Sequence, residues 1–214
     1  MPHAAQRTPW PPLEAITLER EPVRLRPLAR ADAPALVEAA RDGELWKLGY
    51  TSIGGPDTMA AWIDQALAAR AQHRVLPFVV EHLPSGRPIG STRYLNIELA
   101  QRRLEIGNTW YAASFQRSAV NTTCKLLLLA HAFDTLGAVA VEFRTDERNE
   151  HSRRAILDLG ARHDGVLRHH MIMPDGWLRN TYVFSVLRAE WPAVRSRLQA
   201  RLARHATSRA PAQS

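Results

Sequence analysis

The sequence predicts an α/β (equally α+β) chain built on a single mixed central sheet with helices on both faces. Three observations carry this. Apolar alternation and helical spacing follow one another as strand, strand, helices, three strands, helix, strand, helix, two strands. No internal repeat or linker divides the 214 residues, a length that buries a core without a metal or disulfide staple. Hydrophobic residues at 45% and charged residues at 23% are average for a soluble globular chain, which excludes collagen, coiled coil and wholesale disorder.

In order along the chain, the proline-rich residues 1–12 are expected to form an arm, residues 13–205 one domain, and residues 206–214 a tail. Ile16, Leu18, Val23 and Leu25 around Glu21-Pro22 predict one or two short strands. Asp32 is placed to cap a helix over Ala33 to Asp42, with Pro34 tolerated in its first turn. After Gly54-Gly55-Pro56, a second helix starts at Asp57 or Thr58 and runs to about Gln72. Leu76 to Glu81 and Pro88 to Leu95 form a hairpin about Pro84-Ser85-Gly86, and Arg103 to Tyr111 is a third strand. A loop over Ser114 to Val120 leads to a helix from Asn121 to Leu136, closed by Gly137. Val139 to Thr145 is a strand, and Asn149 to Leu159 is a helix stopped by Gly160. Gly165 to Met173 and Thr181 to Leu187 are strands flanking Pro174-Asp175-Gly176. Val194, Leu198 and Leu202 recur at a spacing of four, one apolar face of a docked C-terminal helix.

The net charge of +7 raises the question of nucleic acid, but all except two of the 28 basic residues are arginines, a bias as easily genomic as functional. Most of the excess lies beyond Arg188, so the body is near neutral, unlike the charged stripe of a dedicated nucleic-acid binder. Apolar runs such as Leu126 to Ala130 are far too short to span a membrane, and the N-terminus lacks an apolar signal core. The single cysteine, Cys124, allows no intrachain disulfide and sits on an apolar helix as a core residue. The cytoplasm is the expected compartment. His169 and His170 are adjacent on a strand, so they point to opposite faces and no metal site is expected.

The most informative segment is Glu105 to Lys125, EIGNTWYAASFQRSAVNTTCK, which runs strand, polar loop, helix start. Free N–H groups at a helix start bind phosphate, with Gln116, Arg117 and Ser118 as added donors and Asn121 and Thr122 as cap-type residues. This segment, with VEFRTDERNEHSRRAILDLGA, GVLRHHMIMPDGWLRNTYVFSV and AEWPAV, resembles the GNAT superfamily of acyl-CoA-dependent N-acyltransferases, in its branch of ribosomal-protein N-terminal acetyltransferase-like enzymes. The resemblance covers about Leu18 to Leu202. It implies a splayed sheet, with acetyl-CoA or another acyl-CoA entering between the strands at Glu105–Tyr111 and Val139–Thr145. It places the pantetheine amides against Trp110 and Tyr111, the pyrophosphate on Gln116, Arg117, Ser118, Ala119, Val120, Asn121 and Thr122, and Asn149 and Ser152 beside the arm and the sulfur. The family loop commonly carries glycines and this one has none, so Asn121, which tolerates left-handed backbone, is expected to replace one.

N-acyl transfer from a thioester needs an uncharged amine, a polarised carbonyl and a proton for the thiolate. Glu105, facing away from Ile106, is the first candidate base, ahead of Asp146 and His151. Ser152 is the candidate donor to the departing sulfur. Tyr50, Arg93 and Asn108 are acceptor-side candidates, Asn108 being expected to share a face with Ile106 and Trp110. Trp46, Tyr50 and Trp62 wall the acceptor pocket or pack the core. The expected reaction moves an acetyl group to a primary amine on a small molecule or protein N-terminus, and the family analogy allows a homodimer. Alternatives are a succinyl-type transferase with Arg93 pairing the carboxylate, a silent acyl-CoA-binding protein, and an RNA- or ribosome-binding module using the arginine-rich end.

Overall fold

The computed structural model describes residues 8–207, so residues 1–7 of the expected arm and 208–214 of the expected tail lie outside it. Within the remainder of that arm, Trp10 is buried. Its N–H donates to Leu99 O at 3.0 Å and its indole to Leu136 O at 2.6 Å, tying the segment to the core.

Eight strands form one sheet. They are β1 (Leu18–Arg20), β2 (Val23–Pro27), β3 (Leu76–His82), β4 (Arg87–Glu98), β5 (Arg103–Tyr111), β6 (Ala140–Asp146), β7 (Arg162–Ile172) and β8 (Leu178–Leu187). Their order across the sheet is β1-β2-β3-β4-β5-β6-β8-β7. Every adjacent pair is antiparallel except β5 and β6, which are parallel. A parallel pair needs a long crossover, and the helix α3 (Ala119–Ala130) provides it.

Helices cover both faces, as predicted. On one face α1 (Ala33–Arg41) and α2 (Met59–Ala71) bury Leu36, Ala40, Met59 and Ile63 against Val79 and Trp110. On the other, α3, α4 (Glu150–Leu159) and α5 (Trp191–Thr207) bury Cys124, Leu128, Ile156 and Leu198 against Tyr94, Ile106, Phe143 and Phe184. The face of α5 foreseen from its spacing is the one buried, at Val194 and Leu198. Each of these side chains is worth about 1.5–3 kcal/mol, more than the half-exposed pair of Arg195 with Asp134. Packing therefore holds this helix, with Arg197 and Arg204 exposed and Arg201 half-buried.

Two local expectations fail. The crossover helix begins at Ala119, not Asn121, because Ser118 takes the N-cap position and accepts from the Val120 N–H at 3.2 Å. It also ends as a helix at Ala130 and widens into a π turn over His131–Thr135 before Gly137. The second failure is in β5, where Ser91 pairs with Trp110 but Arg93 pairs with Gly107, so β5 carries an extra residue. Asn108 takes left-handed backbone there, with φ of 46°, and is exposed. One inserted residue reverses the alternation beyond it. Ile106 consequently packs with α3, while Trp110 packs with α1 and α2. The expectation that Asn108, Ile106 and Trp110 share a face is wrong for this reason.

Candidate active site

The site begins where β5 and β6 part. They pair at Arg103 with Ala140, Leu104 with Val141 and Glu105 with Glu142, and no further. Beyond that point β5 continues to Tyr111 against β4, while β6 continues to Asp146 against β8. Beyond Glu105 the β6-facing edge of β5 has no strand partner among the described residues, which opens a V between the two strands. The bulge at Asn108 lies in the stretch of β5 beyond its last pair with β6, and a bulge bends the strand that carries it. It is pinned from behind, since Thr109 Oγ1 lies 2.7 Å from Thr92 Oγ1 and accepts from Lys125 Nζ at 3.0 Å. The tip of the strand lies hard against β4, where any Cβ on Gly90 would collide with the Trp110 carbonyl oxygen.

The loop after β5 turns its chain into the start of α3. Gln116 Nε2 donates to Tyr111 O at 3.1 Å, and Ser118 Oγ to Phe115 O at 2.6 Å. The left-handed residue of this glycine-free loop is Arg117, with φ of 57°, and not Asn121. Asn121 lies within the helix, where its Oδ1 accepts from the Tyr111 hydroxyl at 3.2 Å. Arg117 costs about 1–2 kcal/mol more than glycine there. The N–H groups and dipole at the start of α3 favour an anion, with the Val120 N–H already given to Ser118 Oγ.

Glu105 is buried at the apex, and its side chain shares a face with Gly107 and Leu95, away from Ile106 as alternation required. A surface pair with Arg102 or Arg103 is not what it makes. It accepts from Asn96 Nδ2 at 2.7 Å and lies 3.5 Å from Arg144 Nε. Burial raises its pKa above the ordinary carboxylate value, against the opposing pull of Arg144, Asn96, Arg179 and Lys125. That direction suits a base, because a carboxylate moved toward neutrality holds a transferred proton better. A cleft of about 400 Å³, lined by Val75, Leu95, Asn96, Ile97 and Arg144 among others, opens beside it.

The mouth is tied by Arg148. It pairs with the buried Asp146 at 3.1 Å, reaches Asp175 Oδ2 at 3.3 Å, and donates to Gly49 O at 3.0 Å. Tyr50 is thus held in a strap between the α1–α2 region and the β7–β8 turn. Asp146 accepts from the Arg148 N–H and from its guanidinium, and so serves as that arginine's buried partner. His151 is exposed on the first turn of α4.

A GNAT acetyltransferase domain model matches residues 23–162. The chain belongs to the GNAT acetyltransferase family. Among solved structures, a GCN5-related N-acetyltransferase from Brucella melitensis superposes with a TM-score of 0.81 at 30% identity, covering 91% of this chain and 89% of that one. Mycobacterium smegmatis RimJ in complex with CoA-disulfide gives 0.72 at 25% identity over 89% and 95% of the two chains. The ribosomal-protein-S5-alanine acetyltransferase of Vibrio fischeri shares the fold, at a TM-score of 0.66 and 15% identity over 82% and 98%. No curated protein matches the sequence.

In this acetyltransferase the expected site residues fall in two groups. Glu105, Trp110, Tyr111 and the loop 116–122 gather around the V and the α3 start. Asn149 and Ser152 stand at the start of α4, beyond the end of β6, where Asn149 Oδ1 caps the helix by accepting from the Ser152 N–H at 2.9 Å. Arg93 lies on the α1–α2 face, its guanidinium 4.0 Å from the Trp62 ring centroid, while Asn108 belongs to the bulge. Cys124 is buried and its thiol is pushed up to about 12, as befits a core residue. His170 Nδ1 lies 3.1 Å from Thr181 Oγ1, and His169 is in a separate left-handed bulge. Among the described residues, no cluster of three or more His, Cys, Asp or Glu side chains is arranged to hold a metal ion, and no helix is long and apolar enough to cross a membrane.

Sequence reading missed Lys125, Asn96, Arg144 and Arg148. Lys125 had a signal, being one of two lysines in an arginine-rich chain and standing inside an otherwise apolar run. It is buried, and that burial lowers its pKa to about 8. The other three had none, because the contacts that bring them to the site, Asn96 and Arg144 with Glu105 and Arg148 with Gly49 and Asp175, cross between elements.

Proposed function

We propose that this chain transfers an acetyl or similar acyl group from acyl-CoA to a primary amine by direct attack. The observation that carries the reading is the parting of β5 and β6 after Glu105, which leaves a free strand edge running onto the N-terminus of α3. The free edge suits the amides of a pantetheine arm, and the helix start suits a pyrophosphate. Acyl-CoA supplies a thioester carbonyl that the amine attacks, the amide bond forming as the carbon–sulfur bond breaks. Glu105 takes the amine proton, directly or through water. The N–H groups of the bulged stretch of β5 polarise the carbonyl oxygen, and Ser152 donates to the leaving sulfur. Tyr50 and Arg93 line the acceptor side. The acceptor is a primary amine on a small molecule or on a protein N-terminus, the second supported by a structural neighbour named as a ribosomal-protein acetyltransferase.

Titration calorimetry with acetyl-CoA, succinyl-CoA and free CoA tests the cofactor, with micromolar binding expected. Glu105→Gln tests the base. Turnover should fall by roughly 10²–10⁴-fold with acetyl-CoA affinity retained. The acid limb of the parent's kcat/KM profile, set by a carboxyl above its ordinary range, should vanish in the variant. Retained turnover with an unchanged profile would assign the proton to another group.

A further inference from the structure

Arg93 stands in the middle of β4, opposite Gly107, with only 6% of its surface exposed. Its Nε and Nη2 are both buried, and neither has an acceptor among the described residues. Three other partly buried arginines have acidic partners, Arg26 with Asp32 and Glu81, Arg144 with Glu142 and Glu105, and Arg148 with Asp146, and Arg179 donates to Thr181 Oγ1. A buried cation without a counter-charge is costly, so its persistence asks for a ligand that supplies one.

The two free groups specify the ligand's shape. Nε–H and Nη2–H form the edge of the guanidinium whose donors run parallel, the edge that takes both oxygens of a carboxylate. The guanidinium face is already covered by Trp62, whose own indole is pinned to Ser52 O at 2.6 Å. Trp62 also meets Trp110 edge-on at 6.3 Å, and Trp110 Nε1 is another buried donor without an acceptor. Two aromatic rings thus lie against buried donors that have no acceptor among the described residues.

The register then relates this end to the reaction centre. Arg93 pairs with Gly107 and Leu95 with Glu105, so Arg93 and Glu105 are diagonal neighbours on one face of the sheet. Such neighbours are roughly 7–8 Å apart, and the Leu95 side chain and the Glu105 carboxylate both lie over Gly107. A carboxylate on Arg93 would leave its molecule extending toward Glu105.

We propose that Arg93, with Trp110 Nε1 beside it, receives a carboxylate carried by one of the two substrates, either the acceptor amine or the acyl chain of the donor. This rests on the acyltransferase reading and narrows its substrate class. A neutral acceptor with a plain acetyl donor would leave Arg93 unmatched.

The test separates the two sources. In the acceptor arm, amino acids and short peptides are each compared with their C-terminal amides, using acetyl-CoA and thiol release as the readout. In the donor arm, succinyl-CoA is compared with acetyl-CoA by calorimetry. One arm should show a preference for the carboxylate of roughly tenfold or more, as a charged hydrogen bond provides. Arg93→Gln should abolish that preference, and Arg93→Lys should restore part of it. The ratio is internal to each variant, so a general loss of folded protein does not imitate the result. Preference in neither arm overturns the proposal, whether the acids and amides turn over equally or not at all. A preference that survives Arg93→Gln also overturns it. Failure of acetyl-CoA to bind removes the acyltransferase reading and the proposal with it, whereas binding without a carboxylate preference removes the proposal alone.

Discussion

Lys125→Met should make this protein more stable at neutral pH. The ammonium is buried behind the bulge of β5, with one hydrogen bond, to Thr109, and the Phe143 ring centroid 5.5 Å away. Burial brings its pKa from an ordinary 10.5 down to about 8, so the native state disfavours the charge it carries at pH 7. At about 1.4 kcal/mol per tenfold change, that shift represents a native-state cost of about 3 kcal/mol. Methionine fills similar volume without the charge, and losing the Thr109 bond returns about 1 kcal/mol. The net gain is about 2 kcal/mol, or about 4–8 °C in Tm for a chain of this size. The pH dependence fixes the sign. Below about pH 8 the lysine is protonated in both states and the cost is fully present. Between about 8 and 10.5 the native lysine loses its proton first, so parent stability rises with pH and the variant's advantage shrinks. Urea melts of both proteins at pH 7 and at pH 10 measure this. A variant less stable than the parent at pH 7, or one whose advantage does not shrink at pH 10, would refute the reasoning. Lys125 also lowers the Glu105 pKa, so the acid limb of the variant's kcat/KM profile should move to higher pH.

Two further outcomes follow from the site's supports. Asn149→Ala removes the cap of α4 and should cost about 1 kcal/mol, or about 2–4 °C, while Asn149→Asp should lose little of it, as thermal melts will show. Asp175→Asn cuts only the outer contact of Arg148 and should raise the acceptor KM without altering acetyl-CoA affinity or Tm. Arg148→Ala also strips the buried Asp146 of its partner and should lower Tm, so equal melts for the two variants would show that the strap is not organised through Arg148.

The order of strands and helices was legible from the chain because periodicity is a local property. Val194, Leu198 and Leu202 announced their helix by spacing alone, and alternation placed Glu105 on the face opposite Ile106. The same alternation misplaced Trp110, since one residue inserted at Asn108 reverses every side chain after it. Nothing local marks that insertion, because asparagine is tolerated in ordinary strands as well as in left-handed bulges. The start of α3 was misjudged for a related reason. Ser118 and Asn121 are both cap-type residues; Ser118 takes the cap, while Asn121 accepts from the Tyr111 hydroxyl within the helix. Charge was the least legible feature. The sequence by itself determined which residues carry charge, the elements that hold them and the family likeness. Only the tertiary structure decided that Glu105 is buried beside Asn96 and Arg144, that Lys125 is desolvated, and that Arg93 is left without a partner. Burial and pairing are set by neighbours on other strands and helices, brought together only when the sheet closes.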